Sequence, residues 1–106
     1  MYTENKKVAV TDLGGGVTRK VLSYSKNLMT VELHFEKGAV GAKHSHPHEQ
    51  IGYIVSGSLE VIIGDEKRIL KAGDTYQTAP DVLHGVLALE DTKLLDVFNP
   101  MRKDFL

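Results

Sequence analysis

Cysteine is absent from this chain. That excludes disulfides, thiolate metal sites and a cysteine nucleophile, and it removes any redox clue to the compartment. An excess of one charge is missing too, since 13 Lys and Arg stand against 14 Asp and Glu for a net charge of -1. Without a basic field, nucleic acid is not an expected partner. No apolar run approaches the roughly 18 residues of a membrane-spanning helix, and the segment from Met1 to Lys7 lacks the apolar core of a secretory signal. The expectation is a cytoplasmic protein with no membrane partner. The Gly14-Gly15-Gly16 triplet lacks the Lys and Ser/Thr of a phosphate-binding loop and reads as a turn.

Helical periodicity is also missing. What is there is a series of short alternating segments in 106 residues, enough for one core and one domain over 1–106, with that core at about 17–100. Val31, Leu33 and Phe35 alternate with Thr30, Glu32, His34 and Glu36, which marks a strand with one buried and one wetter face. His34 falls on the wet side. Further strands are expected over 17–24, 50–55, 59–63, 67–70, 75–78, 84–89 and 92–99. Gly38 and Gly41 are read as flanking a turn, and Ser56-Gly57-Ser58 as the tight turn of a hairpin. Turns at roughly 8–12-residue intervals indicate an antiparallel sandwich or barrel.

Three of the five histidines fall within Lys43-His44-Ser45-His46-Pro47-His48-Glu49-Gln50. Neutral imidazole is the commonest metal ligand, and on a strand the spacing of His44 and His46 points both rings to one face. Gln50 can add an oxygen and His84, from a distant strand, a third nitrogen. Three nitrogens and one oxygen leave positions on a divalent ion open to water or substrate, as in a catalytic site. Glu49 competes with Gln50 for the fourth place, because a bulge at Pro47 would reverse the strand parity. His48 reads as a polar residue of the rim. Nickel, zinc, manganese and iron all suit such a donor set.

The chain's end carries a second signal. Leu94, Asp96 and Phe98 share one strand face, and a carboxylate between two apolar neighbours is costly to bury without purpose. Asp96 is either a hydrogen-bonded structural acid or a general acid/base with a raised pKa. Arg102 offers a planar fork for a carboxylate, against the plainer alternative of a surface ion pair.

The run Gly38-x5-His44-x-His46-x3-Gln50-x6-Gly57 resembles the first cupin motif, with Gln50 where that motif has Glu. Gly73-Asp74 through Pro80 to His84 resembles the second, with Asp81 where many cupins have Gly and Ala79 where many have Pro. The resemblance implies an all-β single-domain cupin, an antiparallel double-stranded β-helix or jelly-roll barrel. Glutamine in place of glutamate leaves a bound ion fully dipositive, which favours anionic substrates and argues against oxygen activation.

Both the run from His44 to Tyr53 and the ending Leu95-Asp96-Val97-Phe98-Asn99-Pro100-Met101-Arg102-Lys103-Asp104-Phe105-Leu106 resemble the small cupins called pectin degradation proteins. That likeness implies one divalent metal on His44, His46, Gln50 and His84, with Asp96 and Arg102 serving the reaction and Phe98 beside them. Tyr76 and Gln77 are further candidate pocket residues. The implied activity converts 4,5-unsaturated monouronates, the products of pectin and alginate lyases, into their linear keto form. A metal-dependent dioxygenase and a non-catalytic sugar-acid-binding barrel are the alternatives. A homodimer is expected, because exposed sheet edges in small β-domains are commonly covered by a partner.

Overall fold

The structure is a computed structural model describing residues 1–106. Ten strands follow in order: β1 Thr11–Gly14, β2 Val17–Tyr24, β3 Met29–Phe35, β4 Val40–His44, β5 Glu49–Ser56, β6 Ser58–Ile63, β7 Glu66–Lys71, β8 Thr75–Thr78, β9 His84–Ala88 and β10 Thr92–Asn99. Short 3-10 turns at Asn5–Lys7 and Lys103–Phe105 flank them.

The all-β, antiparallel expectation holds, and the jelly-roll barrel does not. The strands form two separate sheets, β1-β2-β3-β10-β5-β8 and β4-β9-β6-β7, with no ladder closing one onto the other. The strands β1, β8, β4 and β7 remain as edges. Alternation in the sequence marks a strand buried on one face, and that pattern serves a barrel wall and a layer of two facing sheets equally well. Closure depends on which edges pair, which the pattern does not encode.

The layers share one core. Val17, Phe35, Ile54, Tyr76 and Leu94 from the larger sheet cluster with Leu59, Val61 and Ala88 from the smaller. A second cluster of Met29, Val31 and Phe98 lies toward the chain's end. On β10 burial alternates without a break, placing Thr92, Leu94, Asp96 and Phe98 inward. This strand is central, paired with β3 on one side and β5 on the other.

Two local expectations change. Ser56-Gly57-Ser58 is not a hairpin, because β5 and β6 belong to different sheets. Gly57 turns a corner there with φ at +90°, and a Cβ on it would lie 2.4 Å from the Asp91 carbonyl oxygen, so only glycine fits. Gly41 flanks no turn: it lies within β4, opposite Val86 of β9. On the outer face of the larger sheet, Ile51, Tyr53 and Val55 of β5 are exposed.

Candidate active site

His44 ends β4 directly opposite His84, the first residue of β9, and the register of that ladder slips between Gly41 and His44. His46 is not on the strand with His44. It lies in the connection to β5, whose backbone is fastened where the His46 carbonyl accepts the Asp81 N–H at 2.8 Å. Asp81, which stands where the second cupin motif has Gly, holds a positive φ of 67°. Aspartate is among the few side chains that tolerate that region. The two histidines therefore meet through a bend and a register slip rather than through strand alternation.

Donor nitrogens of His44, His46 and His84 all lie within 4.8 Å of one another. Each ring is oriented by its own neighbourhood. His44 Nδ1 donates to the Ala42 carbonyl at 2.9 Å, His46 Nδ1 to the His48 carbonyl at 3.0 Å and His84 Nδ1 to the Val82 carbonyl at 3.0 Å. A carbonyl can only accept, so Nδ1 bears the proton and each neutral ring keeps its Nε2 lone pair free. Burial lowers the pKa of His84, which favours that neutral form.

Gln50 joins the cluster from the other sheet. Burial along β5 alternates so that Gln50, Gly52 and Ile54 face inward while Glu49 is exposed. The amide orientation follows from its partners. Tyr76 O–H donates to Asp96 Oδ1 at 3.3 Å, so the Tyr76 oxygen is left to accept from Gln50 Nε2, also at 3.3 Å. That turns Gln50 Oε1 toward His46 Nε2, 2.9 Å away. Two lone pairs at that separation are unfavourable alone and suit a shared cation. His84 Nε2 is moreover buried without a partner, and a buried acceptor so placed requires one. The residues present therefore fit a divalent metal.

Asp96 is buried, and burial pushes its carboxyl up to about 7 against the pull of Gln50, Tyr76 and Arg102. Burial also raises Tyr76, helped by the Asp96 charge, so Tyr76 stays a donor. Tyr76 lies flat across β5 at Gly52, where a Cβ would come within 2.3 Å of its ring. Phe98 packs edge-on to His46, with ring centroids 5.7 Å apart.

Between the sheets lies a cavity of about 290 Å³ whose lining includes His44, His84, Gln50, Asp96, Phe98 and Arg102. The size suits one small polar ligand. Arg102 is buried and does not hold its fork open: Nε and Nη2 bond the two oxygens of Asp104 at 3.0 and 2.7 Å. Gln77 is not brought to the site. It faces outward from β8, opposite Ile51, because Tyr76 and Thr78 take the inward positions. His48 is half-buried beside Phe98 and stands outside the cluster. His34 is exposed, 3.0 Å from Glu32, at a wider open hollow of about 510 Å³.

Among the lining residues not singled out from the sequence are a cation and an aromatic ring, Arg19 and Phe105. The signal for Arg19 was present: Val17-x-Arg19-x-Val21 puts a cation on an otherwise apolar strand face, as Asp96 puts an anion on another. Nothing comparable marked Phe105, in a tail whose return onto the core is not written in a period.

Two facing antiparallel sheets with three clustered imidazoles and an inward glutamine define a class of protein. The cupin-domain family matches residues 31–98, and the chain belongs to it. Within that family it is closely related to KdgF: it is 50% identical over 97 residues to the pectin degradation protein KdgF of Dickeya dadantii (strain 3937), spanning 90% of this chain and 88% of that one. KdgF from Halomonas sp. has a solved structure that matches with a TM-score of 0.96 and 39% identity, covering 100% of this chain and 98% of that one. An RmlC-like cupin from Shewanella frigidimarina NCIMB 400 also matches at 0.96, with 35% identity over 99% and 95% of the two chains.

Proposed function

We propose that this protein is a metal-dependent enzyme that converts 4,5-unsaturated monouronates into their linear keto form. The observation that carries the reading is one cavity lined by His44, His84 and Gln50 of the metal-fitted cluster and by a buried acid, joined through Gln50 and Tyr76. The kinship with pectin degradation proteins supports the substrate class. Held by His44, His46, His84 and Gln50, a divalent ion would supply Lewis-acid polarisation of substrate oxygens.

The conversion is an isomerisation. The ring hydroxyl of the hemiacetal loses a proton, the ring C–O bond breaks, and the resulting enolate gains a proton on carbon. A group that both takes and gives a proton near neutral pH suits it, and Asp96, pushed to about 7, is such a group. Tyr76 fixes which Asp96 oxygen is engaged, leaving the other for substrate. Phe98 gives the sugar ring an apolar wall, and Arg102 and Phe105 line the same cavity. Loss of the conjugated double bond's ultraviolet absorbance follows the reaction directly. Metal-loaded protein should outpace both a buffer blank and Asp96→Asn, and equality with either removes this reading.

A homodimer fits the same reading. Ile51, Tyr53 and Val55 expose an apolar strip on the outer face of β5, a surface suited to a second copy. Sedimentation at micromolar concentration tests it, with a monomer as the contrary result.

A further inference from the structure

We infer that Arg19, rather than Arg102, is the residue that grips the carboxylate of the acidic substrate. The inference rests on the function proposed above and names the binding residue of that same cavity. Arg19 lies on β2 opposite Leu33 of β3, on the face shared with Val17, and it lines the cavity together with His44, Asp96 and Phe98. Its Nε is buried and has no hydrogen-bond partner. It takes part in none of the chain's ion pairs, which are Lys7–Glu4, His34–Glu32, Lys67–Glu60, Arg68–Glu66 and Arg102–Asp104.

The contrast with Arg102 is chemical. Both guanidinium groups lie over the ring of Phe105, Arg19 at 4.0 Å and Arg102 at 4.2 Å from its centroid. Two cations sharing one aromatic ring repel each other, and the chain offsets only one of them. Asp104 takes two donors of Arg102 in a bidentate pair, the geometry that a substrate carboxylate would otherwise adopt. Arg19 keeps its full charge and a desolvated donor. A buried donor left unpaired is costly and is satisfied when an anion with two oxygens arrives. Phe105 holds the Arg19 guanidinium by its face, so the cation is ordered before the ligand enters.

The test compares wild-type metal-loaded protein with Arg19→Met and Arg19→Lys. Two probes are used: turnover of the unsaturated uronate, and competition or calorimetric binding by galacturonate against its uncharged methyl ester. Arg19→Met should raise KM and weaken galacturonate binding by roughly tenfold to a hundredfold, the worth of one charge-assisted hydrogen bond. The change in kcat should stay within a few-fold, and the preference for acid over ester should disappear. Arg19→Lys keeps the charge but not the fork, so it should retain part of that preference. A merely structural arginine would alter thermal stability without altering acid-over-ester selectivity. Should Arg19→Met fail to fold, Arg19→Lys decides: selectivity and KM identical to wild type overturn the inference. Turnover with unchanged selectivity in Arg19→Met overturns it while the proposed function stands. Acid-selective binding that depends on Arg19 but without turnover overturns the function and leaves the inference. No acid-selective binding in the wild type removes it.

Discussion

The histidine corner and the inner face of β10 supply the two halves of the site, and they are built on opposite principles. At the corner every ring is set by a backbone carbonyl two residues away: Ala42 for His44, His48 for His46, Val82 for His84. On β10 the buried Asp96 carboxylate depends on side chains far off in sequence, Tyr76 of β8 and through it Gln50 of β5. The corner is oriented locally, and the acid is oriented by sheet assembly. A local device should resist changes in packing that the assembled one does not, so the two regions ought to fail separately.

The largest effect is expected at the corner. His84→Ala removes one of the three clustered imidazoles, and the chain has no replacement for it, because His48 stands outside the cluster. Elemental analysis after gel filtration should find little metal, and the absorbance assay should fall to the blank. Full metal retention by this variant would break the assignment of the cluster. Next comes Asp96→Asn, which should keep its metal yet lose roughly 10²- to 10⁴-fold in kcat, the usual worth of a positioned acid/base. Loss of metal together with activity would mean that the two regions are one.

A subtler lever is Gly52, which faces Tyr76 rather than the histidines. A Cβ there would sit 2.3 Å from the Tyr76 ring, so Gly52→Ala should drive the ring aside and release Asp96. Activity should drop about tenfold, near the worth of the lost hydrogen bond. Tyr76→Phe should do much the same without the steric cost. The three imidazoles do not depend on Tyr76, so both variants should still bind metal, more weakly where Gln50 loses the partner that orients it. Unchanged kcat in both variants would show that Asp96 needs no assembly, and the comparison would lose its second half.

The same division explains what was legible in the sequence. His44 and His46 were visible because they lie two residues apart in a histidine-rich run, and Asp96 because one charge interrupted an apolar alternation. Parity along β5 was enough to turn Gln50 inward and Glu49 outward. Parity also applied to β8, where it turns Gln77 away from the cavity, but that strand of four residues offers too short a pattern to fix its phase. Edge pairing is non-local, so a closed barrel was expected where two open sheets stand. The bend that carries His46 off the strand depends on the Asp81 turn, a contact between segments whose pairing no spacing reveals.

The smallest effect sharpens the comparison among the carboxylates themselves. Asp96 is pushed up by burial, whereas Asp104 is pulled below the usual carboxylate range by its bidentate bond to Arg102. A depressed folded-state pKa contributes stability that is present above the unfolded value and lost as pH falls through the folded one. Asp104→Asn should therefore lower Tm at neutral pH, with the gap to wild type closing as the solution is acidified below the ordinary carboxylate range. The Asp104 side chain is 58% exposed, so screening limits the effect to about 1 kcal/mol at most, or a few degrees. Added salt should narrow the gap in the same way. A gap that persists unchanged into acid would mean that Asp104 acts by packing alone, and then the charge of Arg102 would not be offset as its contrast with Arg19 requires.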